Sequence, residues 1–172
     1  MAVIALNTKI KNIDKFLLHA QRRRCPARSN IICAGDPSES LFFIIKGSVT
    51  VVIEDSEGRE MIIAYLNSGD FFGELGLFEQ PGRASVRSAW VRAKSECEVA
   101  EISYEKFREL SHQEPEILYA MTAQMAERLR NTTRKVADLA FLDVTGPVAC
   151  TLLDLSKQPV VTPHSAVLHP QI

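Results

Sequence analysis

Gly73, Glu74 and Gly76, with Arg87 and Ser88 following thirteen and fourteen residues after Glu74, form the grouping in this chain that ordinary packing does not explain. Glycines spaced in this way let a tight turn bring backbone N–H groups close to a bound anion, as backbone nests and helix N-termini do. Arg87 and Ser88 open the apolar run Arg87-Ser88-Ala89-Trp90-Val91, which the sequence predicts as a strand. A guanidinium is poorly placed there unless a negative group meets it. Glu74 cannot hold that anion, because like charges repel; a carboxylate in a phosphate pocket accepts hydrogen bonds from sugar hydroxyls instead. The predicted ligand therefore carries both ribose and phosphate.

These residues need a scaffold, and the pattern around them describes one. Ile13, Phe16, Leu17 and Ala20 have the spacing of one helical face. Brief β-rich runs follow at 31–33, 41–45, 48–54, 60–66, 88–92 and 96–102. They are divided by Gly35-Asp36-Pro37, Lys46-Gly47, 55–58 and 67–70, all rich in turn residues. Many short strands at this spacing predict a closed or sandwiched antiparallel barrel with a mouth for a small ligand. Ser103 is placed to cap a short helix through Leu110, and Pro115 to open a second helix reaching about Phe141. At 1.5 Å per residue the second helix spans roughly 40 Å. Leu118, Met121, Met125, Leu129, Thr132, Val136 and Leu139 step along it by three or four, the seam of a two-stranded coiled coil. Glu127, Arg128, Arg130, Arg134 and Lys135 fall on its other faces.

With 172 residues the chain is long enough for one solid core, or one domain with an appendage. Its net charge of −1 supplies no global field toward nucleic acid or anionic lipid. Arg22-Arg23-Arg24 reads as a solvated edge rather than a docking site. The four cysteines, Cys25, Cys33, Cys97 and Cys150, form no Cys-x-x-Cys pair, and the N-terminus shows no basic-then-apolar signal. Reduced thiols in a cytoplasm are expected, and no apolar run approaches the ~20 residues that a bilayer span needs. There is no recognisable Ser-His-Asp set, and His19, His112, His164 and His169 are assigned to helix, loop and tail rather than to strands around a barrel mouth. A metal-dependent barrel enzyme is therefore disfavoured, and a binding protein expected.

The run Gly73-Glu74-Leu75-Gly76-Leu77-Phe78, followed by Arg87-Ser88-Ala89-Trp90-Val91, resembles the phosphate-binding cassette of the cyclic-AMP receptor protein (catabolite activator, CRP/FNR) family of transcription regulators. The length between Glu74 and Arg87, with the flanks 42–49 and 141–146, is most similar to the virulence factor regulator branch; the resemblance extends from about Lys9 to Leu155. It implies an α+β fold: an antiparallel β-roll, or jelly-roll-like double-stranded β-helix, with short flanking helices and a long C-terminal dimerisation helix. Residues 1–140 would form the cyclic nucleotide-binding domain with its dimerisation helix at about 115–140, and 141–172 a hinge and a truncated remnant of a DNA-binding domain. The implied ligand is cyclic AMP, acting allosterically, with no metal and no other cofactor. Glu74 would meet the ribose 2′-hydroxyl with Gly73 beside it, and Arg87 and Ser88 the cyclic phosphate. Thr132 and Thr133 would meet the adenine, one from each subunit of a homodimer, and Leu75 and Ala89 complete the expected ligand-binding set. Binding at the seam would then shift the setting of the paired helices.

The chain also departs from the family pattern. Pro81-Gly82-Arg83-Ala84-Ser85-Val86 replaces an acidic and polar linker, leaving Arg83 either a second phosphate contact or merely exposed. Thr133 stands where serine is common, and Pro147 where the family tends to be basic. The stretch 157–172 holds Pro159, Pro163 and Pro170 and no helical period, so a recognition helix for the major groove is missing. Specific DNA binding by the chain alone is not expected; DNA and RNA polymerase are implied as partners only of a full-length family member. Two accounts are open, a truncated or frame-shifted product and a deliberately shortened sensor. The alternative function is a stand-alone cyclic nucleotide-binding module acting on a protein partner.

Overall fold

The structure, a computed structural model, describes residues 10–79, 85–141, 151–154 and 156. The chain divides into two compact units, Met1–Arg128 and Leu129–Ile172. In order, the elements are α1 (Ile13–His19), β1 (Gln21–Cys25), β2 (Asn30–Ile32), β3 (Ser40–Lys46), β4 (Ser48–Glu54), β5 (Glu60–Asn67), β6 (Phe71–Phe72), a 3₁₀ turn (Leu75–Phe78), β7 (Trp90–Ala93), β8 (Cys97–Ser103), α2 (Tyr104–Gln113) and α3 (Pro115–Phe141).

The strands of the first unit form two four-stranded sheets, ordered β1-β8-β3-β6 and β2-β7-β4-β5, and every strand pair is antiparallel. The expected α+β architecture of an antiparallel roll with flanking helices is what is observed. The uninterrupted apolar run of β3 shows why. Side chains alternate along a strand; Leu41 and Phe43 enter one buried cluster with Phe16, Phe107, Ile117 and Met121 of the helices, while Phe42 and Ile44 enter another with Ile32, Val49, Val91 and Val99 of the strands. Both faces of this sheet are therefore covered. Phe16 alone makes edge contacts to Phe43, Phe71 and Phe107 at 5.9, 5.4 and 6.2 Å between ring centroids, which fixes α1 on the sheet.

Turn chemistry matches the breaks. Gly47, with φ +93°, joins β3 to β4, and a Cβ there would stand 2.5 Å from the carbonyl of Glu96. Asp55 closes the β4–β5 turn by accepting from the backbone N–H of Glu57 and Arg59 at 2.9 and 3.0 Å. The arginine run does form a solvated edge: β1 is an outer strand, with Arg22 paired to Glu98 and Arg23 to Glu101.

Two expectations need correction. The strand after the cassette begins at Trp90, so Arg87 and Ser88 precede it. Arg87 instead bonds through its backbone to the turn before β3, donating to Asp36 O and accepting from Gly35 N, both at 2.8 Å. The apolar line of α3 is also not one continuous free seam. Met121 is fully buried in the helix-side cluster, with Leu118 and Met125 packed against it, because this part of the helix covers the sheet.

In the second unit α3 continues from Leu129, and residues 151–154 are helical. Leu129 and Val136 are 68% and 60% exposed. The expected hinge, most of the helix expected after it and the stretch from 157 lie outside the described residues, as do the side chain of Leu139 and the residues Arg83 and Cys150.

Candidate functional site

The cassette is anchored at both ends. Its first end follows β6, where Gly73 takes φ +76°, a left-handed conformation that favours glycine. A Cβ at Gly73 would stand 2.8 Å from Arg87 Nη1 and 3.2 Å from both Ile32 Cδ1 and Phe42 Cδ2. Gly76, inside the 3₁₀ turn, is equally confined, since a Cβ would come within 2.6 Å of Ser38 Oγ. Both glycines therefore permit close approach.

Arg87 forms the second end and is only 9% exposed. Its Nη1 donates to Gly73 O at 3.0 Å and to Tyr104 Oη at 3.3 Å; Nη2 donates to Ser40 O at 2.9 Å and to Ser40 Oγ at 3.1 Å. All four terminal N–H bonds thus go to uncharged acceptors. Among the described residues no ion pair includes Arg87. Its guanidinium also lies 5.5 Å from the centre of the Phe42 ring, which favours a cation.

Donor arithmetic fixes the hydroxyls around it. Tyr104 spends its one hydrogen on Gly73 O at 2.5 Å, so its oxygen accepts from Arg87, and Ser38 Oγ, 2.8 Å away, must be the donor in that contact. Ser40 Oγ likewise donates to Glu101 Oε1 at 2.9 Å and turns a lone pair to Arg87. Tyr104 is the first residue of α2, set there because the Ser103 side chain caps the helix by accepting from Lys106 N.

Glu74, just before the 3₁₀ turn, lies 3.6 Å from Arg128 Nη1 of α3. Arg128 also donates to Phe71 O at 2.5 Å and stands 3.9 Å from Asp70. Burial pushes the Asp70 carboxyl above its ordinary range, opposed by a hydrogen bond from Asn67 N and by the Arg128 charge. Sequence reasoning placed Arg128 on a face of the helix away from the apolar seam and gave it no role at the site. Gln124, Arg128 and Thr132 recur every four residues, a polar line along one helix flank that was the available signal. Tyr104 and Ser40 were also missed, since neither stands out from ordinary core and edge residues by type or spacing.

The structure thus brings Gly73 and Arg87 together, while the carboxylate of Glu74, next in the chain, faces Arg128. Leu75 is half exposed, Ser88 is exposed and Ala89 half-buried. Thr132 and Thr133 belong to the second unit, both exposed on α3. A separate cavity of about 250 Å³, lined by Arg24, Lys46, Glu96, Cys97 and Glu98, shares no residue with the cassette; its cations are balanced by its carboxylates. Among the described residues no cluster of His, Cys, Asp and Glu could hold a metal ion, and no helix is long and apolar enough to cross a membrane.

Comparison with known proteins identifies relatives of this chain. Residues 22–114 match the family described as cyclic nucleotide-binding domain. The chain is 68% identical over 164 residues to the cAMP-activated global transcriptional regulator Vfr of Pseudomonas aeruginosa, covering 95% of this chain and 77% of that protein. It is 55% identical over 152 residues to the cAMP-activated global transcriptional regulator CRP of Escherichia coli, covering 88% and 71%. Among solved structures it is similar to the regulator CLP of Xanthomonas campestris, described as c-di-GMP responsive, with a TM-score of 0.79, 43% identity and coverage of 88% and 74%.

Proposed function

This chain belongs to the CRP/FNR family of transcription regulators, and from that membership we propose that it is a sensor for cyclic AMP, in which the nucleotide binds the cassette and biases the arrangement of α3 in a homodimer. The observation that carries the reading is the buried Arg87, held between the two ends of the cassette by neutral acceptors alone.

A buried cation without an anion is costly, and a phosphodiester supplies the missing charge. With the terminal N–H groups of Arg87 occupied, the incoming phosphate takes Nε–H or displaces one of the neutral acceptors. Ser88, exposed beside it, adds a hydroxyl for the same phosphate. Glu74 accepts from the ribose 2′-hydroxyl, at the expense of or alongside its pairing with Arg128. Leu75 and Ala89 line the site. Thr132 and Thr133 recognise the base in this reading, their exposed hydroxyls able to donate or accept.

Dimerisation through α3 accounts for the exposed Leu129 and Val136, which continue its apolar line beyond the part that covers the sheet. A nucleotide that binds one setting of the helices more tightly than another shifts their populations by that difference. Residues 1–140 would act as this sensor, with a hinge following from 141.

Calorimetric titration of the chain with cyclic AMP, cyclic GMP and cyclic di-GMP tests the assignment. Cyclic AMP is expected to bind most tightly. Preference for the dinucleotide would instead align the chain with the Xanthomonas relative, and binding of none would reject the sensor.

A further inference from the structure

β6 is only two residues long and forms the outer edge of its sheet, pairing with β3 through Phe42–Phe72 and Phe43–Phe71. An edge strand leaves backbone groups unpaired on its free side, where burial makes them costly. Here side chains of α3 take them. Phe71 N–H donates to Gln124 Oε1 at 2.9 Å, Gln124 Nε2 donates to Gly69 O at 2.8 Å, and Arg128 Nη2 covers Phe71 O. One amide side chain therefore supplies both the acceptor and the donor that a neighbouring strand would supply.

The location of this contact gives it a consequence. β6 runs directly into Gly73, whose carbonyl holds both Arg87 and Tyr104, and then into Glu74. We infer that Gln124 is the positioning residue that couples the cassette to the long helix: it makes β6 and α3 move as one, so that a change at Gly73 and Glu74 on ligand binding is passed to α3. This inference rests on the cyclic AMP reading of the site. Coupling of this kind needs a physical connection with a measurable energetic effect, and the two hydrogen bonds of Gln124 are that connection.

The test uses the full chain and two variants. Gln124→Met keeps length and helix propensity while removing both polar groups; Gln124→Glu keeps the acceptor for Phe71 N–H and loses the donor to Gly69 O. Calorimetry measures cyclic AMP affinity, and amide hydrogen exchange with and without saturating nucleotide follows peptides covering 69–79 and 116–128. In the wild type both peptides are expected to respond. In Gln124→Met the cassette peptide should still respond while the helix response falls at least threefold, and Gln124→Glu should fall between the two. A purely structural role would lower stability but leave the ratio of the two responses unchanged, and that result overturns the inference. So does a wild-type helix that ignores nucleotide while the cassette responds. If Gln124→Met fails to fold, a Gln124→Glu helix response equal to wild type places the coupling elsewhere. A wild type that binds no cyclic AMP removes both the functional reading and this one, whereas binding without propagation removes only this one.

Discussion

Arg87 Nη1 donates to the carbonyl of Gly73 at 3.0 Å, so two residues fourteen positions apart tie the two ends of the cassette together. The left-handed Gly73 and the buried guanidinium depend on each other: the first opens the space that the second occupies.

Gly73→Ala should therefore damage both. The new Cβ meets Arg87 Nη1 and adopts a strained backbone, costing on the order of 1–3 kcal/mol. Chemical denaturation should show the loss, and cyclic AMP affinity should fall at least tenfold. An unchanged affinity would mean that the guanidinium does not need this position.

Tyr104→Phe removes the hydroxyl shared by Gly73, Arg87 and Ser38. Leaving buried polar groups unpaired costs about 1–3 kcal/mol each. The expected outcome is a lower unfolding midpoint together with weaker nucleotide binding. Comparing the Rp and Sp phosphorothioates of cyclic AMP separates the effects, because a displaced Arg87 changes the ratio of their affinities and a general loss of stability does not.

Glu74→Ala should erase discrimination between cyclic AMP and its 2′-deoxy analogue. A hydrogen bond to a charged group contributes about 1.5–3 kcal/mol, so the wild type should prefer the ribose form by roughly 10- to 100-fold. Competition binding checks this, and discrimination that survives the substitution would assign the ribose to another residue.

The sequence made some parts of this arrangement legible and hid others. Gly73, Glu74 and Arg87 stood out because glycine pairs and an arginine beside an apolar run are costly without a ligand; Gly73 and Arg87 do meet, whereas Glu74 faces Arg128. The turn at Lys46-Gly47 and the Ser103 cap followed from local chemistry and were found in place. β6 was invisible because a two-residue strand has no period to read. Arg128 was hidden because a charged residue on a long helix is usually solvated, and only the tertiary contact to β6 shows otherwise. Helical spacing of Leu118, Met121 and Met125 revealed an apolar face but not what covers it, and in this chain it is the sheet.

Acid should weaken the anchoring of α1. Glu114 accepts from Lys15 Nζ, and from Asn12 Nδ2 at 2.7 Å. The Lys15 hydrogen bond is the largest effect and holds its carboxyl below the usual glutamate range; burial, next in size, opposes it, and the hydrogen bond from Asn12 adds to the lowering. A lowered folded-state pKa gives stability that is present above the unfolded value and disappears as pH falls through the folded one. The stability difference between wild type and Glu114→Gln, followed by urea denaturation from pH 7 to pH 3, should shrink with acid. A constant difference would show that the ion pair contributes nothing through its charge.

The most direct test of the central claim is ligand-induced stabilisation in the wild type and in Arg87→Ala, followed by equilibrium denaturation with and without cyclic AMP. At a hundred times its dissociation constant the nucleotide should add about 2.7 kcal/mol to the wild type, and most of that gain should vanish at the same concentration when Arg87 is removed. Equal stabilisation of both proteins would contradict the assignment of the buried guanidinium as the phosphate receptor.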